Sequence, residues 1–143
     1  MEKIRTFFKD SWQNELIIGT DSHAYNSYTV FTTAIVAHRL GKGATYFYKT
    51  YISKEYYELR SRIFKEAQLS IDTANLLLKQ LINEDFQKIS RIEIHVDIGE
   101  KGPTKELIKS ITGFISGNGF DVKIKPDSYA ATKVADRHTL HKN

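Results

Sequence analysis

Apolar and polar residues alternate along the first third of this chain, repeat at three and four in its middle, and then switch between the two habits. Leu16 to Thr20 is a short apolar run after polar residues and predicts a strand. Tyr28 to His38, rich in Val, Thr, Phe and Ile, predicts a second, and Ala44 to Ile52 a third. The stretch RLGKG between the last two carries glycines that can take positive φ, so the three strands read as an antiparallel meander. A helix is predicted from about Glu55 to Asn83, its inward stripe being Leu59, Ile63, Ala67, Ser70, Ala74, Leu77 and Leu81. Strand periodicity then returns. Ile92, Ile94, Val96 and Ile98 alternate with Glu93, His95 and Asp97. Gly102-Pro103 opens a second helix with Leu107, Ile108, Ile111, Phe114 and Ile115 on its buried stripe, and Gly117-Asn118-Gly119 ends it. Asp121 to Lys125 reads as a fifth strand with Val122 and Ile124 inward, and Pro126-Asp127-Ser128 starts a last helix.

The order is therefore βββαβαβα. Right-handed crossovers place the fourth strand parallel to the first and beside it. The expected architecture is α/β: a mixed five-stranded sheet in the order 3-2-1-4-5, strand 2 antiparallel, with helices on its faces. This is the ribonuclease-H arrangement.

Composition narrows the picture. The 143 residues make one ordinary domain, 1–143, and 41% hydrophobic residues supply a core. Cysteine is absent, which excludes disulfides, Cys-ligated zinc and Cys nucleophiles. No apolar run is long enough to span a bilayer, and MEKIRTFFKD is too polar for a signal peptide, so the expected location is the cytoplasm, with no membrane partner. A net charge of +4, with a pI of about 9.2, permits a polyanionic partner without requiring one.

Certain acids fall where core residues are expected. Asp21 and Asp97 end the apolar runs of strands one and four, which lie side by side. Carboxylates at close range repel unless a cation is present. A hard cation with oxygen ligands resolves the conflict, and Mg²⁺ or Mn²⁺ suits a chain with no soft ligands. As single residues, both could instead be turn formers. Glu66 lies on the buried stripe of the long helix. Glu58, earlier in the same helix, could reach the same strand ends, but helical phase favours Glu66. Asp136 lies in the last helix amid Ala131, Val134, Ala135 and His138, and Asp127 competes with it although a helix N-cap accounts for Asp127 equally well. His23 and His138 are candidate proton carriers beside a metal, with a structural or solvated role as the simpler reading.

Gly99-Glu100-Lys101-Gly102-Pro103-Thr104 leads into a helix N-terminus where backbone N–H groups could meet a phosphate, but it lacks the Gly-Lys-Ser/Thr of a Walker loop. Lys101, Lys105, Lys123, Lys125, Lys133 and Arg137 could form a basic rim for nucleic acid or simply a solvated surface. Tyr46, Tyr48, Tyr51, Tyr56 and Tyr57 could stack bases, with sheet packing as the simpler role.

The pieces IIGTDSH, LRSRIFKEAQLS, HVDIGEKGPTKELI and KIKPDSYAATKVADRHT resemble the bacterial YkuK-type family, over about Leu16 to Thr139. The resemblance implies a ribonuclease-H-like fold. That wider class carries an Asp on strand one, a Glu on the first helix, an Asp on strand four and an acid on the last helix. These positions match Asp21, Glu66 (or Glu58), Asp97 and Asp136, and ADRH is similar to the final-helix pattern of ribonuclease H. The basic protrusion with which some ribonucleases H grip hybrids has no counterpart in the sequence. The expected function is a divalent-metal-dependent nuclease cleaving phosphodiester bonds by a two-metal mechanism with Mg²⁺ or Mn²⁺. The alternatives are a catalytically silent nucleic-acid-binding module of the same fold, and a phosphate- or nucleotide-sensing domain built on Gly99 to Thr104.

Overall fold

A computed structural model describes residues 14–39, 43–81 and 89–129. Its elements follow the order β1 (Asn14–Ala24), β2 (Thr29–Arg39), β3 (Gly43–Ser53), α1 (Leu59–Leu81), β4 (Ile89–His95), α2 (Ile108–Gly117) and β5 (Asp121–Lys123). The sheet order is β3-β2-β1-β4-β5, as the sequence pattern predicts. β2 runs antiparallel to both β1 and β3, β4 is parallel to β1, and β5 is parallel to β4.

The two described helices pack on one face of the sheet. Even-numbered positions of β1 (Leu16, Ile18) and β4 (Ile94) join Ile63, Ala67, Ile71, Ala74 and Leu77 of α1, and Ile111 and Ile115 of α2, in one buried cluster. Phe64 and Phe114 meet at 5.8 Å and join the helices. Odd positions face the other way, where Ile17 and Val36 form a separate small cluster. Thr20 ties the layers together, its hydroxyl lying 2.8 Å from both Thr33 Oγ1 on β2 and Ser70 Oγ on α1. A polar contact at this depth is tolerated because every partner is satisfied.

The boundaries differ from the expected ones for local reasons. β1 runs past Thr20 to Ala24, because the polar residues Asp21 to His23 keep their register with β2 after the apolar run ends. α1 begins at Leu59 rather than near Glu55, and Leu59 is exposed while Ile71, absent from the expected stripe, is fully buried. Pro103 does not open a helix. Gly102 takes φ +92°, and a 3-10 turn over Lys105–Leu107 precedes α2. Thr104 does not cap that turn; its hydroxyl accepts the Gly99 N–H at 3.3 Å instead. Pro126 to Ser128 form a turn in which Asp127 and Ser128 N–H both donate to the Ile124 carbonyl, so no helix starts there. The expected last helix otherwise lies outside the described residues.

Ile71 sits at the centre of the α1–sheet contact, 1% exposed, whereas Leu76 is 44% exposed. Ile71→Ala should cost about 3 kcal/mol from lost burial and the cavity left behind. Leu76→Ala should stay within about 0.5 kcal/mol. Urea unfolding of the two variants checks the pair.

Candidate functional site

The site begins where β1 and β4 part. Their parallel register ends at Gly19–His95. Beyond it β1 stays with β2 to Ala24, while the β4 chain stays with β5, with Val96 N–H donating to the Lys123 carbonyl at 3.0 Å and Lys125 N–H to the Ile98 carbonyl at 2.9 Å. The two strands part at the point where the sheet's connectivity changes direction, a usual place for ligands in α/β folds. Asp21 and Asp97 stand equally far beyond that last pair, one on each side, and both are half-buried.

α1 supplies the third acid. Glu66 is 6% exposed and receives a 2.5 Å hydrogen bond from Ser22 Oγ. Burial is the main cause that pushes its carboxyl up to about 8; nearby Asp97 pushes the same way, while the Ser22 hydrogen bond and Arg62 partly oppose the rise. The sequence reading missed Ser22. Strand alternation contains the signal, since Leu16, Ile18, Thr20 and Ser22 share the helix-facing side and Asp21 the other. Asp21 therefore lies on the face opposite the Ser22–Glu66 contact.

Asp97 is held from β5's side. Lys125 Nζ lies 2.8 Å from Asp97 Oδ1, an oxygen buried from water that, among the described residues, accepts no hydrogen bond of regular geometry besides this ion pair. Gly99 makes the approach possible, because a Cβ there would lie 3.0 Å from Lys125 Cβ and 3.4 Å from its Cδ. Next to the pair is a cleft of about 520 Å³ lined by Gly99, Glu100, Lys101, Ile124, Lys125 and Pro126.

Glu58, His23 and Asp127 have local roles of their own. Glu58 is exposed just before α1, where its carbonyl accepts the Arg62 N–H at 2.9 Å and its carboxylate the Ser61 hydroxyl at 3.4 Å. That is a helix-start role, and it separates Glu58 from buried Glu66. His23 packs against Tyr25 at 4.6 Å, and Asp127 is exposed in its turn. Asp136, His138, Lys133 and Arg137 lie outside the described residues. Lys101, Lys105 and Lys125 are exposed and Lys123 is half-buried. Tyr46, Tyr48 and Tyr51 stand on the edge strand β3, each nearly half exposed, while Tyr57 packs edge-on against Phe31 at 5.2 Å.

A second buried polar group, on the face away from α1, also escaped the sequence reading. His95 Nδ1 accepts the Tyr129 N–H at 3.1 Å, which makes Nε2 the donor to Glu93 Oε1 at 2.8 Å. Burial holds this histidine below its ordinary pKa and so keeps it neutral, while Arg91 neutralises Glu93 from 3.3 Å. The chain of contacts anchors the end of β4 just before Asp97.

The donor chemistry where the strands part suits a divalent ion. Glu66 and Asp97 lie near enough to repel, and repulsion between two carboxylates is of the kind a cation relieves. Among the described residues no group of three or more His, Cys, Asp or Glu side chains is close enough to hold an ion unaided. A partial donor set of this kind fits Mg²⁺, which keeps several waters and takes further ligands from phosphate.

Comparison with known proteins agrees with the topology. A family model described as "Ribonuclease H-like" matches residues 1–140. The chain belongs to the ribonuclease-H-like family. It is 36% identical to "Uncharacterized protein YkuK" of Bacillus subtilis (strain 168), over 97% of this chain and 88% of that protein. Among solved structures, the N-terminal RNase H domain of rv2228c from Mycobacterium tuberculosis, a fusion with maltose-binding protein, aligns with TM-score 0.40 at 8% identity, covering 89% of this chain and 94% of that one. No helix among the described residues is long and apolar enough to cross a membrane.

Glu66 makes stability depend on pH with a definite sign. Its folded-state pKa lies above the unfolded value, so the folded state binds the extra proton and stability falls as pH rises from about 4.5 through about 8. Glu66→Gln, neutral throughout, should match the parent protein near the bottom of that window and exceed it above the top. A tenfold difference in proton affinity between the folded and unfolded chains corresponds to about 1.4 kcal/mol. Metal-free thermal unfolding across the window checks this, and a constant difference at all pH values would contradict it.

Proposed function

We propose that this protein is a divalent-metal-dependent nuclease that hydrolyses phosphodiester bonds where β1 and β4 part. The observation that carries the reading is the buried Glu66 carboxyl at the switch point of the sheet, raised to about 8 by burial with a smaller push from Asp97. Without a cation, burial keeps this carboxyl protonated, and a bound cation would favour its carboxylate form, so its placement suits a metal ligand. Membership of the ribonuclease-H-like family, whose fold commonly serves nucleic acids, points the same way.

In this reading Asp21, Glu66 and Asp97 hold Mg²⁺ or Mn²⁺, with Asp136 as the fourth acid. The ion would supply positive charge at the scissile phosphate and lower the pKa of water there. The protein's own part is positional. Ser22 fixes the Glu66 carboxyl by its hydrogen bond, and the Thr20–Thr33–Ser70 contacts fix Ser22's strand to α1 and β2. His95, Glu93 and Arg91 fix the strand that ends before Asp97. Lys101 and Lys125 present cations at the cleft, where the backbone of a nucleic acid would run.

A second reading, a nucleic-acid-binding module without turnover, draws on the Lys125–Asp97 ion pair, which already supplies Asp97 with a cation. The phosphate-sensing alternative has less to draw on, since the Gly99 N–H is used by Thr104 within the loop.

Cleavage assays separate these readings. Single-stranded, duplex, hybrid and branched oligonucleotides should be cut only with Mg²⁺ or Mn²⁺ present. Asp97→Asn and Glu66→Gln should each lower the rate by more than the roughly 10- to 100-fold that changes outside the ligand shell can cost. Binding without turnover, unaffected by metal, would favour the silent module.

Affinity should fall with added salt, with a shallow slope because the cleft's lysines are few and each phosphate contact releases counterions. Single strands or branched structures should bind better than hybrids. Titrations at two salt concentrations, with Ca²⁺ replacing Mg²⁺, check both points, and a strong hybrid preference would overturn the choice of substrate.

A further inference from the structure

Lys125 is placed with more care than a surface lysine needs. Its backbone N–H is fixed to the Ile98 carbonyl at 2.9 Å, across from the loop that carries Asp97. Its aliphatic stem lies over Gly99, where a Cβ would come within 3.0 Å of Lys125 Cβ and force the stem to shift. Its ammonium ends 2.8 Å from Asp97 Oδ1. Asp97 is the more covered partner, its side chain 29% exposed against 52% for Lys125. The lysine thus has an open side, and the open side faces the cleft it shares with Lys101.

We infer that Lys125 is an internal counter-cation: its ammonium holds the Asp97 carboxylate while no divalent ion is bound, releases it to the ion, and turns to a phosphate of the nucleic acid. The inference rests on the metal-dependent reading above and deepens it. Two cations cannot share one buried carboxylate oxygen at contact distance without repelling each other. A divalent ion that takes Oδ1 therefore displaces the ammonium. Lys125 also lines the cleft, where a phosphodiester oxygen is the anion that matches its ammonium. Metal and nucleic acid then favour each other's binding, because the ion frees the lysine and the phosphate keeps it away from Asp97. Lys125 is in this sense a positioning residue.

The experiment uses the full chain and the variants Lys125→Met, Lys125→Arg and Asp97→Asn. Mn²⁺ binding without nucleic acid is read by calorimetry. Binding of a fluorescent single-stranded oligonucleotide, with Ca²⁺ present to hinder turnover, is read by anisotropy. Lys125→Met should bind Mn²⁺ about fivefold more tightly, the factor an exposed ion pair can be worth. The same variant should bind the oligonucleotide more weakly, with the log–log salt slope shallower by about one. Lys125→Arg keeps the cation and should follow the parent protein in both assays, and it serves as the folding control if Lys125→Met melts early. A lysine with only a structural role would weaken both kinds of binding together or neither. Unchanged or weaker Mn²⁺ binding by Lys125→Met, with Asp97→Asn abolishing it, overturns the inference and leaves the metal site standing. Absence of Mn²⁺ binding by both the parent protein and Lys125→Met overturns the metal reading and the inference with it.

Discussion

β1 has two neighbours of different kinds in the one sheet. Along its whole length it pairs antiparallel with β2, and along its first half it also pairs parallel with β4. The parallel pairing stops at Gly19–His95, while the antiparallel one continues to Ala24. That early stop parts the two strands and leaves Asp21 and Asp97 two residues beyond the last pair, one on each chain segment. It also leaves Ser22, still in register with β2, free to meet the helix above. Had the parallel pairing run on, backbone hydrogen bonds would close the gap and no ligand could enter.

The helix above converts this geometry into chemistry. α1 packs on β1 through Ile63, Ala67, Ile71 and Ala74, and the same turns that bury these residues bury Glu66. The cost of hiding a carboxyl among them appears as its raised pKa. Part of that cost is offset by Ser22 and Arg62, and the proximity of Asp97 increases it. A site of this kind is under electrostatic strain until positive charge arrives. Lys125 supplies one such charge from β5's side, at the less buried member of the pair.

Much of this was legible in the sequence. Period-two alternation in Ile92 to Ile98, and three-and-four spacing through α1, gave the sheet order and the placement of Glu66 on a buried stripe rather than on a solvated face. What stayed hidden depends on contacts between distant segments. Which of Asp21 and Ser22 meets Glu66 follows from strand alternation only once it is known that β1 stays extended past Thr20 and that the helix covers the Leu16–Ile18 face. Pro103 and Asp127 carry ordinary helix-start signals, yet the Thr104 hydroxyl is drawn to Gly99 and the Ile124 carbonyl takes two N–H groups in a turn. Lys125 looked like one basic residue among several, because its partner across the loop is visible only once Gly99 and β5 are placed. Asp136 and His138, on which the fourth position depends, lie outside the described residues.

The central claim is that a divalent ion binds where β1, α1 and the end of β4 converge. Crystals soaked in Mn²⁺, with anomalous differences recorded, test it most directly. The account predicts a peak where the two strands part, with carboxyl oxygens of Asp97 and Glu66 at about 2.1 Å or joined to it through single waters. Asp21 should lie on the opposite side of the ion, and Lys125 should be turned away from Asp97. An anomalous map with no peak there at saturating Mn²⁺, or with the ion bound elsewhere while Lys125 still holds Asp97, would contradict it.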